Sequence, residues 1–133
     1  MIGAVNTYTP AQVVEHTGFS HDTLRYYERI GLLGNIARTS GGQRMFTDDD
    51  LGWLGILKCL RDTGMPIATM LRFAELCRDG DHTIGDRVML LEEHDDAVEA
   101  KIASLRTQQQ QIRAKIHWYR TASPAAAELS AAS

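Results

Sequence analysis

The sequence predicts a mainly all-α winged helix-turn-helix domain followed by one long coiled-coil helix. Three observations carry that prediction. Two short helical segments with their own caps flank Gly18, two alternating segments flank Gly41-Gly42, and an apolar heptad runs without proline from Val88 to Tyr119.

Thr9-Pro10-Ala11-Gln12 is a compact helix start: Thr9 caps, Pro10 suits the first helical position, and Gln12 can complete a capping box. Val13 and Val14 supply apolar contacts, and the helix stops near Thr17-Gly18, where glycine takes the left-handed turn. Ser20 caps the next helix, in the stretch Ser20 to Leu33. Leu24, Tyr27 and Ile30 fall on one side of it, while Arg25, Tyr26 and Arg29 point elsewhere. A short helix that exposes arginines and an aromatic hydroxyl suits a polyanion. Two short helices joined by a glycine turn place the second one in the major groove of DNA.

Residues 35–46 carry two short segments around Gly41-Gly42 and read as a β-hairpin, a wing that sets Arg38 and Arg44 within reach of phosphates. Thr47-Asp48-Asp49-Asp50 caps a helix running to about Asp62, with carboxylates in the first turn where the helix dipole favours them. On its wheel Trp53, Ile56, Leu57 and Leu60 form an apolar arc. Lys58 and Arg61 share a polar face around Leu54, and Gly52, Gly55 and Cys59 form a stripe of small residues. Gly64 ends this helix, Pro66 starts the next, and Ile67, Leu71, Ala74 and Cys77 give that one an apolar face up to Asp79-Gly80.

From Thr83, with Asp86 completing a Thr-x-x-Asp start, the longest uninterrupted segment begins. Val88, Leu91, Asp95, Val98, Ile102, Leu105, Gln109, Ile112, Ile116 and Tyr119 follow in alternating steps of three and four, a coiled-coil seam. At 1.5 Å per residue such a helix spans roughly 50 Å, too long to fold back on a small domain, so a homodimer is expected. The expected organisation is a DNA-binding domain over 6–80, a dimerisation helix over 82–121 and a flexible tail over 122–133.

Composition sets the outer bounds. The chain has 133 residues, 44% of them apolar and 23% charged, which suits one soluble domain with an extension. No run reaches the roughly 20 apolar residues of a membrane span, and MIGAVNTYTP lacks the regions of a signal peptide, so a cytoplasmic protein with no membrane partner is expected. Cys59 and Cys77 are too few for a disulfide framework and are expected as reduced thiols. Net charge is -3, but residues 20–46 hold four arginines against Asp22 and Glu28. The local patch, not the sum, decides contact with phosphates.

Taken together, these residues resemble the MerR family of bacterial transcription regulators. Tyr8-Thr9, Gly18, Ser20, the run Thr23-Leu24-Arg25-Tyr26-Tyr27-Glu28-Arg29-Ile30-Gly31-Leu32-Leu33, the wing Gly42-Gln43-Arg44-Met45-Phe46 and the Asp-rich start before Leu51 carry the likeness. It covers residues 7 to 120 in the same order of elements. The resemblance implies a homodimer joined by antiparallel C-terminal helices on a palindromic promoter element. It further implies that Arg25 and Tyr26 grip DNA, Arg44 anchors the wing and Arg61 holds a phosphate. His21, Asp22 and Thr23, at the helix N-terminus, are the expected readers of base edges. Gln43 and Phe46 stand where the family often has tyrosines. Family members commonly bend and untwist promoters with overlong spacers so that RNA polymerase can use them, an expectation for this chain as well.

The trigger is read from what the chain holds. Metal-sensing relatives need several thiolates, whereas here Cys77 and His82 form only a C-x4-H pair, so no metal and no cofactor are expected. Leu57-Lys58-Cys59-Leu60-Arg61-Asp62-Thr63-Gly64-Met65-Pro66, with Glu75-Leu76-Cys77 and Gly80-Asp81, resembles the branch that answers aldehydes and other small electrophiles through one cysteine, and Cys59 stands at its position. Two readings of Cys59 stay open. It is either a small hydrophobe packed in the Gly52, Gly55, Cys59 notch, or a sensing thiol whose alkylation adds volume where none is free. Cys77 is expected in the core, His94 and His117 as solvated or interfacial, and the carboxylates from Glu92 to Glu99 as a solvated face. The alternatives are a constitutive or architectural repressor with structural cysteines, or a sensor of an unidentified small ligand or metal. No paired acid and base, nucleophile triad or phosphate loop points to an enzyme.

Overall fold

The computed structural model describes residues 6–122. Its elements run β1 (Thr7–Tyr8), α1 (Pro10–Thr17), α2 (His21–Ile30), β2 (Ala37–Arg38), β3 (Arg44–Thr47), α3 (Asp48–Asp62), α4 (Ile67–Asp79), a single 3-10 turn (Asp81–Thr83) and α5 (Ile84–Ala122). The expected tail lies, from residue 123 on, outside the described residues. Packing divides the chain between Leu90 and Leu91, inside α5. The expected boundary at residues 80–82 lies at the 3-10 turn.

The first unit is built on local caps. The Thr9 hydroxyl accepts from the Gln12 N–H at 3.2 Å while the Gln12 side chain accepts from the Thr9 N–H at 2.9 Å, so two donors at the start of α1 are satisfied reciprocally. Thr47 and Asp50 repeat the device at the start of α3. The wing is the expected hairpin, with Ala37 opposite Met45 and Arg38 opposite Arg44. The chain also adds β1, which the sequence reading did not anticipate: Thr7 pairs with Thr47 and Tyr8 with Phe46, giving strand order β1-β3-β2. The Tyr8 hydroxyl donates to Asp48 at 2.7 Å and ties this strand to the first turn of α3.

The core lies between the sheet, α1, α2 and the inner faces of α3 and α4, where Val13, Phe19, Leu24, Tyr27, Leu32 and Phe46 are buried. Trp53 stacks on Phe73 with ring centroids 5.6 Å apart and donates to the Leu32 carbonyl at 2.9 Å. That bond fixes the segment leaving α2 against α3 and α4.

Two expectations are corrected. Leu54 was placed within the polar face of α3 and Ile56 within its apolar arc. Instead Leu54, Leu57 and Leu60 form the buried line and Ile56 is exposed. The inner line is set by the neighbours α3 meets, above all α1 and β3, and a wheel contains no neighbours. Thr83 was read as the cap of the long helix together with Asp86. Its side chain is buried, and its hydroxyl lies 2.5 Å from the Leu76 carbonyl and 2.8 Å from that of Gly80. Arg87 adds a bond of 2.6 Å to Gly80, so this threonine closes the end of α4 rather than the start of α5.

The second unit is the rest of α5, a helix of 39 residues in all, about 58 Å long at 1.5 Å per residue. Ile102, Leu105, Ile112, Ile116 and Tyr119 of the seam are exposed along it. Among the described residues no helix is long and apolar enough to cross a membrane.

Candidate nucleic-acid interface

The outer face of α2 is presented by two glycine turns and one cap. Ser20 accepts from the Thr23 N–H at 3.0 Å and starts the helix, and its hydroxyl also bonds the Thr23 hydroxyl at 2.9 Å. Gly31, at φ +85, ends it in the left-handed region. Arg78, from α4, donates to the Gly31 carbonyl and braces that end against the body. Between these fixed ends His21, Asp22, Arg25, Tyr26 and Arg29 are exposed, while Leu24 and Tyr27 are buried beneath them.

The exposed face is lightly organised. Arg25 meets Asp22 at 3.3 Å, both well solvated, and the Arg29 guanidinium lies 5.4 Å from the centre of the Tyr26 ring. Such contacts are weak enough to be exchanged for phosphates. Thr23 is less available than its neighbours, because its hydroxyl is engaged with the cap.

The wing is held more firmly. Glu28, on the side of α2 facing the hairpin, accepts from Arg44 at 2.9 Å and from Arg38 at 3.4 Å. Arg44 keeps only 18% of its side chain exposed and Glu28 21%, whereas Arg38 keeps 50%. The Arg44 Nε is buried and finds no hydrogen-bond partner among the described residues. Arg38 therefore remains the more accessible cation of the wing, and Arg44 serves first to hold the wing to the helix.

A second basic group joins the turn between α1 and α2. Lys58 and Arg61, on α3, lie over the ring of Phe19 at 5.8 and 4.6 Å from its centre. Both donate to Asp62, Lys58 at 3.0 Å and Arg61 at 3.3 Å. The hydrogen bond from Lys58 holds the Asp62 carboxyl below the usual carboxylate range, with Arg61 adding to the effect and partial desolvation opposing it. In the same way the carboxylate of Asp48 raises the Tyr8 phenol above its ordinary value, chiefly through their hydrogen bond.

The structure thus gathers the expected residues through two connectors. His21, Asp22, Thr23, Arg25 and Tyr26 share α2, Arg38 and Arg44 reach it through Glu28, and Arg61 reaches its entry turn through Phe19. Sequence reasoning overlooked Glu28 as a clamp and Arg78 as a brace; it set Lys58 with Arg61 on one helix face, three residues apart, without assigning Lys58 to the interface.

Cys59 lies on the outer side of α3. Its side chain is exposed, and a Cβ built on Gly52 or Gly55 meets nothing within 4 Å. The stripe of Gly52, Gly55 and Cys59 is thus an open face of α3 in the single chain. Cys77 is partly exposed rather than in the core. It lines a shallow cavity of about 180 Å³ with Gly34, Trp53, Ala74 and Arg78. Among the described residues no three His, Cys, Asp or Glu side chains converge as a metal site would require.

Comparison with known proteins places this geometry among regulators. A family model described as MerR HTH family regulatory protein matches residues 8–75. An uncharacterised HTH-type transcriptional regulator of Haemophilus influenzae is 42% identical over 116 residues, covering 87% of this chain and 86% of that protein. AdhR, an HTH-type transcriptional regulator of Bacillus subtilis, is 36% identical over 81 residues, 61% of this chain and 58% of AdhR. Among solved structures, HiNmlR, a MerR family regulator lacking the sensor domain and bound to promoter DNA, superposes with a TM-score of 0.78 at 39% identity, covering 88% of this chain and 90% of that one.

Proposed function

The chain belongs to the MerR HTH family of DNA-binding transcriptional regulators and is not an enzyme, and on that premise we propose that it binds a palindromic promoter element as a homodimer. The observation that carries the proposal is the exposed face of α2, fixed at both ends and tied to the wing through Glu28. His21, Asp22 and Thr23 read base edges, and Arg25 and Tyr26 grip the backbone. Arg38 and Arg61 take phosphates on either flank, and Arg44 sets the angle of the wing. The likeness to HiNmlR, which is bound to promoter DNA, supports this docking. Two copies are joined along the exposed seam of α5, and the bound element is bent and untwisted for RNA polymerase, the deformation energy acting as the switch.

The trigger is a small electrophile at Cys59. Its exposure makes the thiol accessible to a reagent, and the resemblance of Leu57 to Pro66 to the electrophile-responsive branch of the family supports this reading. An adduct there sits two residues before Arg61 on α3, so bulk added at Cys59 bears on the helix that carries a phosphate contact.

The test uses duplexes that the protein selects from a randomised pool. Arg25→Ala and Arg61→Ala weaken binding to all sequences and reduce the salt slope by about one, whereas changing Asp22 alters sequence preference. An Arg25→Ala protein with unchanged affinity at physiological salt refutes the docking. Cys59→Ser abolishes induction by a reactive aldehyde while leaving promoter binding intact, and unchanged induction removes the thiol from the mechanism.

A further inference from the structure

Asp62 is the last residue of α3, where the negative end of the helix dipole disfavours a carboxylate. Two cations hold it there. Its Oδ2 accepts from the Lys58 Nζ at 3.0 Å, and its Oδ1 accepts from both Nε and Nη2 of Arg61 at 3.3 Å. Lys58 and Arg61 in turn rest on the ring of Phe19, and Lys58 lies across Gly18, its Cε 3.7 Å from where a Cβ would stand. These side chains make a shallow seat for an anion at the entry turn of α2, with two cations on an aromatic platform and one carboxylate filling it. The three charged side chains keep between 38% and 48% of their surface exposed, so the carboxylate is free to leave.

We propose that Lys58 and Arg61 together form one phosphate seat and that Asp62 is its placeholder, a positioning residue that sharpens the choice between a correctly seated duplex and any other. The proposal rests on the docking given above, in which Arg61 takes a flanking phosphate, and adds to it a second cation and a competitor. A carboxylate tethered to the same helix competes for the seat at an effective concentration that a free phosphate ion does not match. A duplex matches it only where other contacts hold its phosphate at the seat. With His21, Asp22 and Thr23 on base edges, α2 is in register, and the phosphate stands within reach of Lys58 and Arg61 as firmly as Asp62 does. On an unrelated duplex those base contacts are missing and the backbone shifts relative to α2. Asp62 then keeps its cations for more of the time, and the flanking contact is worth less. The carboxylate therefore lowers affinity for unrelated DNA more than affinity for the chosen element, and discrimination is gained by weakening the competing complexes.

The other carboxylates of this face are placed differently. Asp22 meets one cation, Arg25, and is itself 93% exposed, whereas Glu28 is drawn in under the wing, where Arg44 is largely covered. Asp62 bridges two cations that are both more than a third exposed, the condition for an exchange with phosphate.

The test measures the affinity of the full chain for a duplex that it selects from a randomised pool and for a scrambled duplex of the same length and composition, over a range of salt. Asp62→Asn tightens binding to the scrambled duplex by about threefold to tenfold and steepens its salt dependence, while the selected duplex gains less than about twofold. Asp62→Glu keeps the charge and keeps the ratio of the two affinities near that of the unaltered chain. Adding Lys58→Ala to Asp62→Asn removes much of the gain, as the second cation of the seat requires. Asp49→Asn, which takes an equal charge from the exposed first turn of the same helix, is the control and shifts both duplexes alike. Equal gains on the two duplexes for Asp62→Asn, or the same change of ratio from Asp49→Asn, overturn the placeholder. Arg61→Ala separates this from the docking itself. If it weakens neither duplex, the docking falls and the placeholder with it; if it weakens binding while Asp62→Asn leaves the ratio unchanged, the placeholder alone is refuted.

Discussion

Replacing Glu28 by alanine separates the wing from the recognition helix, and the structure gives the size of the effect. The Arg44 to Glu28 contact of 2.9 Å joins two side chains that are 18% and 21% exposed. At that distance and an effective dielectric constant of about 20 the gross attraction is about 6 kcal/mol. Desolvation of two partly covered ions offsets most of it, leaving about 2 kcal/mol for the loss of a charge-assisted bond with its partner still in place. Arg44 cannot simply turn to water, because its Nε is already buried without a partner among the described residues. Thermal unfolding at fixed protein concentration should fall by roughly 6–12 °C for Glu28→Ala. Glu28→Gln keeps an acceptor without the charge, and should lose about half as much. A double-mutant cycle with Arg44→Ala isolates the pair, with an expected coupling of about 1–2 kcal/mol. The same cycle on Arg25 and Asp22, 61% and 93% exposed, should give at most about 0.5 kcal/mol. If the Glu28 and Arg44 cycle returns a coupling no larger than that control, the clamp does not exist as argued.

Other outcomes follow from the same reasoning. Asp62→Asn should lower stability at neutral pH and make no difference in strong acid. A carboxyl held below its ordinary value of 3.8 contributes only while ionised, so its contribution is present above that value and lost as pH falls through the lower folded one; equal destabilisation of Asp62→Asn at pH 2 and pH 7 contradicts this. Tyr8 behaves oppositely: its raised phenol gives stability present below the ordinary value of 10.0 and lost as pH rises past the folded one, so Tyr8→Phe should destabilise at neutral pH and not in strong alkali. Trp53→Phe keeps the stack on Phe73 but removes the bond to Leu32, and should cost about 1 kcal/mol in chemical denaturation. Thiol titration of the native protein should modify Cys59 before Cys77, since Cys59 is exposed and Cys77 half-buried, and the reverse order would remove Cys59 as the reactive site.

The legibility of the chain followed the range of the interactions involved. Caps at Thr9, Ser20 and Thr47 rest on partners three residues away, and all were readable. The Gly41-Gly42 turn announced the wing for the same reason. The strand at Thr7–Tyr8 was not readable, because two residues have no periodicity and exist as a strand only through pairing with β3. Thr83 shows how a correct local rule loses to its surroundings: a Thr-x-x-Asp start is sound, but the open carbonyls at the end of α4 and the approach of Arg87 offered the hydroxyl a buried alternative.

By itself, the sequence determined the order of helices, the face α2 turns outward, the wing and the apolar spacing along the long helix, because each depends on spacing along one helix or one turn. Tertiary structure alone decided that Arg44 is drawn to Glu28 while Arg38 stays accessible, that Lys58 and Arg61 rest together on Phe19, and that Cys59 is an exposed thiol. Those outcomes depend on which distant side chain arrives in the same place. A burial pattern states that a face is covered, and only the folded chain states by what.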